Sequence, residues 1–97
     1  MDINHIKSQI EKLNLNTFKL IQTKSNGLLL LNSRYKFSDC IYINLYNNEA
    51  EIIHDRVFDN EYFYKGIEKL LISRTYIKNS KEVINYIQNI LNSKRHF

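Results

Sequence analysis

Residues 40–46 read CIYINLY, residues 49–58 read EAEIIHDRVF, and only Asn47 and Asn48 separate them. The first run alternates without a break, with Ile41, Ile43 and Leu45 on one face of a strand and Cys40, Tyr42, Asn44 and Tyr46 on the other. A turn at Asn47-Asn48 sets Leu45 opposite Ala50 and Ile43 opposite Ile52, so the apolar residues of both strands share one face. A hairpin of this kind has one side that water must not reach. The rest of the chain therefore has to supply further strands and a covering layer.

Upstream, Ser25-Asn26-Gly27 is a strong hairpin signal, because Asn and Gly both tolerate positive φ. A two-residue loop at Asn26-Gly27 predicts strands over 17–25 and 28–36, with Phe18 opposite Tyr35, Gln22 opposite Leu31 and Lys19 opposite Arg34. A three-residue loop, Phe37-Ser38-Asp39, then brings Ile41, Ile43 and Leu45 beside Tyr35, Ser33 and Leu31; a two-residue loop would turn the apolar set toward the charged side. These pairings describe a four-stranded meander.

Three helices are predicted around it. Asp2 is a good N-cap, and Ile3, Ile6, Ile10 and Leu13 follow at helical spacing until Asn14 and Asn16 interrupt them. Asp59 or Asn60 caps a second helix over EYFYKGIEKLLIS, with Phe63, Ile67, Leu70 and Leu71 as its stripe and Gly66 as a weak point. After a linker over 75–78, Asn79 and Glu82 resemble a capping box, and Val83, Ile84, Ile87, Ile90 and Leu91 make the last helix amphipathic. The expected fold class is α+β in a single compact domain over 1–97: an N-terminal helix, a four-stranded antiparallel meander and two C-terminal helices packed on one sheet face. Ninety-seven residues can bury about two-thirds of their unfolded surface, enough for one core.

Chemistry-bearing constellations are scarce. Cys40 and His54 are the obvious nucleophile and base, yet in this register Cys40 opposes Asp55 while His54 opposes Ile41 and points to the other side. Cys40 then reads as a structural cysteine and His54 as a sheet-end residue capping the core. His5, His54 and His96 sit in separate elements without ligand spacing, so no metal and no cofactor is expected. Glu49, Glu51, Asp55, Asp59 and Glu61 read as a solvated acidic edge, and Gly27 and Gly66 are too far apart for a phosphate loop. A single cysteine excludes an internal disulfide and fits a reducing cytoplasm. The N-terminus has no signal-peptide pattern, and no stretch is long enough to span a bilayer. The reading is a non-enzymatic protein from an AT-rich, low-GC genome.

The remaining face of the sheet is the candidate surface. The predicted register gathers Lys19, Arg34 and Lys36 beside Tyr42 and Tyr46, together with Leu30, Ile21 and Ile53. Tyrosine and arginine are the residue types that anchor interfaces. Like charges directly opposite, as Lys19 and Arg34 would be, cost up to about 1 kcal/mol unless an acidic group meets them. Two function classes follow: binding of a host protein or ribonucleoprotein, and, given a net charge of +4, nucleic-acid binding on a basic and aromatic face. A double-stranded-RNA-binding domain would carry a basic cluster after the sheet, where this chain has Asp59-Asn60-Glu61. Tyr86, off the last helix's stripe, and the tail Lys94-Arg95-His96-Phe97 offer a second candidate surface.

The predicted element order resembles that of small phage-encoded anti-CRISPR proteins of the type II-A group. Met1, Ile3 and Asn4, then Thr17, Phe18, Lys19, Leu20, Thr23, Ser25 and Asn26, carry the likeness in the first quarter of the chain. The resemblance implies a compact domain that binds and blocks an RNA-guided DNA nuclease. The best-known inhibitor of that shape mimics DNA with a strongly acidic surface; this chain is basic, so DNA mimicry does not carry over and the resemblance leaves the mode of blocking open.

Overall fold

The computed structural model describes residues 1–13, 18–33, 37–58 and 69–92. In chain order the elements are α1 (Ile3–Glu11), β1 (Lys19–Gln22), β2 (Gly27–Ser33), β3 (Phe37–Tyr46), β4 (Glu49–Phe58), β5 (Lys69–Ile77) and α2 (Ser80–Asn92). The strands form one antiparallel sheet in the order β1-β2-β3-β4-β5. The class is α+β, but the expectation of four strands and two C-terminal helices is overturned: there are five strands and one C-terminal helix among the described residues.

The β3–β4 ladder has the register that the alternation dictates. Leu45 pairs with Ala50, Ile43 with Ile52, Ile41 with His54 and Cys40 with Asp55. Side chains of odd number on β3 and even number on β4 face the helices, which we call the inner face. There Ile41, Ile43, Ala50 and Ile52 are fully buried against Ile6 and Ile10 of α1 and Val83 and Ile87 of α2.

Both helices start where their caps place them. The Asp2 carboxylate accepts from the Asn4 amide at 3.1 Å, and Asn79 Oδ1 accepts from the amides of Lys81 at 2.8 Å and Glu82 at 3.4 Å. Each satisfies donors that a helix N-terminus leaves without intrahelical partners.

The β1–β2 register differs from expectation. Lys19 pairs with Leu31 and Gln22 with Leu28, so the loop comprises residues 23–26 and Gly27 is the first residue of β2. Asn26 takes the positive φ of 48°, and the Thr23 amide donates to the Gly27 carbonyl at 2.9 Å. Gly27 is needed for a different reason: a Cβ there would lie 2.9 Å from Asn44 Oδ1, the Ile43 carbonyl oxygen and Thr23 Oγ1. The offset is an odd number of residues, so the predicted faces of β2 are inverted. Leu28 pairs with Ile43 and Leu30 with Ile41, and these two leucines enter the core while Leu31 stays half-buried on the outer face. The clash expected between Lys19 and Arg34 disappears with that register; Arg34, Tyr35 and Lys36 lie outside the described residues.

The second correction is β5. Residues 69–73, read as the end of a helix, and 74–77, read largely as a linker, form one strand paired with β4 from Ala50↔Ile77 to Val57↔Lys69. Ile72, Thr75, Tyr76 and Ile77 favour a pleated surface, and the long β4 edge offers them backbone partners. A register shift between His54 and Asp55 leaves Ile72 as an extra residue, which breaks the period-two pattern. The remainder of the predicted second helix, with its cap at Asp59 or Asn60, lies outside the described residues.

Replacing Ile43 or Leu30 with Ala should destabilise the domain by about 2–5 kcal/mol, whereas Leu31→Ala should give a clearly smaller loss. Chemical denaturation of the three variants checks this. Equal losses for Leu30 and Leu31 would contradict the face assignment.

Candidate functional site

The outer face of the sheet points away from both helices. Its pairings run in rows: Ile21, Leu29, Tyr42, Ile53 and Arg74 form one, and Asn44, Glu51 and Tyr76 form the next toward the β3–β4 turn. Tyr46, paired with Glu49, lies one row further. Tyr46 and Tyr76 are each 54% exposed, and the Arg74 side chain is 51% exposed.

Glu51 organises this end of the face. Its Oε1 accepts from Asn44 Nδ2 and from the Tyr46 hydroxyl, both at 3.3 Å, and its Oε2 accepts from the Tyr76 hydroxyl at 2.9 Å. The Arg74 guanidinium stands 3.9 Å from Oε2. The Tyr76 hydrogen bond, followed by those from Asn44 and Tyr46, holds the Glu51 carboxyl below the ordinary value of 4.5 despite partial desolvation. In return the Glu51 charge raises the Tyr46 hydroxyl, and the hydrogen bond to Glu51 raises that of Tyr76, both above the ordinary 10.0. Across the neutral range the patch is therefore one fixed anion holding two neutral phenols.

Of the residues expected to bind a partner, Tyr42 and Tyr46 are on this face, Tyr42 half-buried and Tyr46 exposed. Lys19 is on the same face, but in the row of Leu31 and Cys40, at the other end from Tyr46. Arg34 and Lys36 lie outside the described residues. Glu51, Arg74 and Tyr76 were not anticipated as a group, although Arg74 and Tyr76 alternate with Ser73, Thr75 and Ile77, a signal available in the sequence.

A second polar group sits at the far end of the inner face. Asp39 and His54 are buried at 0% and 1%, and Asp39 Oδ1 lies 3.2 Å from His54 Nε2 and 3.1 Å from Arg56 Nε. Arg56 also stacks over Phe37 at 4.4 Å, and Phe37 meets Phe58 with ring centroids 6.1 Å apart. A buried carboxylate needs such partners, so this group closes the end of the core. His54 thus caps the core, and Cys40, itself buried, is on the opposite face of the sheet. Asp55 is only 4% exposed, which corrects its place in a solvated acidic edge; Asp59 and Glu61 lie outside the described residues.

Tyr86 is a tether and not a free surface. Its hydroxyl accepts from Thr75 Oγ1 at 3.1 Å and donates to Ser73 Oγ at 3.3 Å, joining α2 to β5. The tail Lys94-Arg95-His96-Phe97 lies outside the described residues. Among the described residues, no helix is long and apolar enough to cross a membrane. No protein family, curated protein or solved structure matches this chain.

The network has a pH signature. Glu51 stabilises the fold most fully above its unfolded value and loses that contribution as pH falls through its lowered folded value. The two tyrosines contribute below 10.0 and lose their share as pH rises through their raised values. Thermal melts across this range should show Glu51→Gln with shallower acid and alkaline limbs than the parent; superimposable profiles would contradict the network.

Proposed function

We propose that the chain is a non-enzymatic protein-binding domain that docks a host protein or ribonucleoprotein through Tyr46, Tyr76 and Arg74 on the outer sheet face. The observation that carries this reading is the Glu51 network: two half-exposed tyrosines have their hydroxyls anchored to one carboxylate on a central strand. Aromatic side chains ordered before binding lose little entropy when a partner covers them, and tyrosine and arginine dominate interface energetics. Binding of this sort acts by occupying a surface, which is compatible with the partner-blocking task that the resemblance of the first quarter implies.

Nucleic-acid binding on the same patch is the weaker reading. Phosphates would meet the Glu51 anion at its centre, and Arg74, the basic side chain beside the tyrosines, is already drawn toward that carboxylate.

Affinity capture from a low-GC bacterial lysate tests the proposal. The parent chain should retain a stoichiometric protein or ribonucleoprotein that the Tyr46→Ala, Tyr76→Ala double variant does not, with stability lowered by no more than about 1 kcal/mol. Failure to retain any such partner, or equal retention by the double variant, would overturn it. Oligonucleotide binding that weakens steeply with salt and needs the two tyrosines would favour the other class.

A further inference from the structure

The two edges of the sheet are built differently. β1 is four residues long and presents Lys19 to solvent, which blunts it. β5 is nine residues long and pairs on one side with β4; among the described residues no strand lies on its other side. Its stretch Ser73–Ile77 pairs with β4 without irregularity, the chain has no proline, and Arg74 is the one charge within that stretch. α2 meets β5 on the inner face, where Tyr86 bonds Thr75 and Ser73 and Ile77 packs against the core. A long regular edge of this kind is a template for another strand.

The side chains of β5 select which strand fits. Two antiparallel copies related by a two-fold axis normal to the sheet keep their outer faces on the same side, so Arg74 and Tyr76 can oppose only outer-face residues of the second copy. Centring the axis on Arg74 sets like charges opposite each other, and centring it on Tyr76 sets Arg74 against Lys78. With Thr75 on the axis, Tyr76 opposes Arg74 of the second copy, twice by symmetry, and Ser73 opposes Ile77. The outer row then reads Asn44, Glu51, Tyr76 and Arg74 of the second copy, so a guanidinium meets a phenol ring already bound to a carboxylate. Cation–π attraction and the Glu51 charge act in the same direction there.

We propose that the protein forms a two-fold dimer through antiparallel β5–β5 pairing with Thr75 on the axis, joining the two sheets into one. This inference does not rest on the proposed partner, although Arg74 and Tyr76 take part in both. It leaves the helices of both copies on one side and brings the two tyrosine patches next to each other on the other. One strand pair buries less than the about 1,200 Å² of a standard interface, so the dimer is reversible and concentration-dependent.

Sedimentation equilibrium of the full chain tests this, together with two variants. Tyr76→Lys sets a lysine beside Glu51 within the monomer but opposite Arg74 across the axis; it should shift the equilibrium to monomer and match the parent melting temperature at dilutions where the parent is monomeric too. Thr75→Cys should form a 75–75 disulfide-linked dimer on mild oxidation, which the parent, with its buried Cys40, should not. If Tyr76→Lys melts early, the Thr75→Cys cross-link decides alone. A parent chain that is monomeric up to high micromolar concentration overturns the proposal, as does a dimer that does not cross-link at Thr75→Cys.

Discussion

The pairing of β3 with β4 is the constraint on which the structure depends. It runs without a break from Phe37↔Phe58 to Tyr46↔Glu49, with β2 and then β1 added on its β3 side and β5 on its β4 side. Because side chains alternate along both strands, this single register decides the composition of both faces. Ile41, Ile43 and Ile52 go to the helices, while Tyr42, Tyr46 and Glu51 go to the face away from them. A slip of β4 by one residue against β3 would turn its faces over, setting Glu51 among the buried isoleucines of β3 and Ile52 on the outer face. The hydrophobic cost of that exchange selects the register.

The same ladder explains why the polar groups divide into two kinds. On the inner face Asp39 is desolvated, and His54 and Arg56 compensate it at the end of the core. On the outer face Glu51 keeps some contact with water, and its hydrogen bonds come from Asn44, Tyr46 and Tyr76 on the two flanking strands. The first arrangement stabilises a buried charge; the second orders aromatic side chains that remain accessible.

What the sequence made legible follows from where its pattern carries information. CIYINLY alternates cleanly, and its pairing with β4 and the opposed faces of Cys40 and His54 are as expected. Asp2 and Asn79 cap the helices because their side chains are short acceptors at the right positions. The run Leu28-Leu29-Leu30-Leu31 has no alternation, so the position of the turn alone fixed its predicted register, and an Asn-Gly pair misled because Gly27 serves a close approach in the strand. Ile72 similarly hides the strand character of β5, while adjacent leucines at 70 and 71 imitate a helical stripe. Without β5, Arg74 and Tyr76 could not be assigned to the patch around Glu51.

Residue-resolved amide hydrogen exchange is the most direct test of this dependence. Both β3 and β4 are interior strands, so the amides of Ile41, Ile43, Ile52 and His54 should exchange only through global unfolding, with one common free energy. Those of Leu20 and Ile21 on the short β1 edge should exchange faster, through local opening that leaves the central pair intact. Exchange at Ile43 and Ile52 as fast as at Leu20 and Ile21 would show that the β3–β4 pairing does not hold the fold together, and would contradict the account at its base.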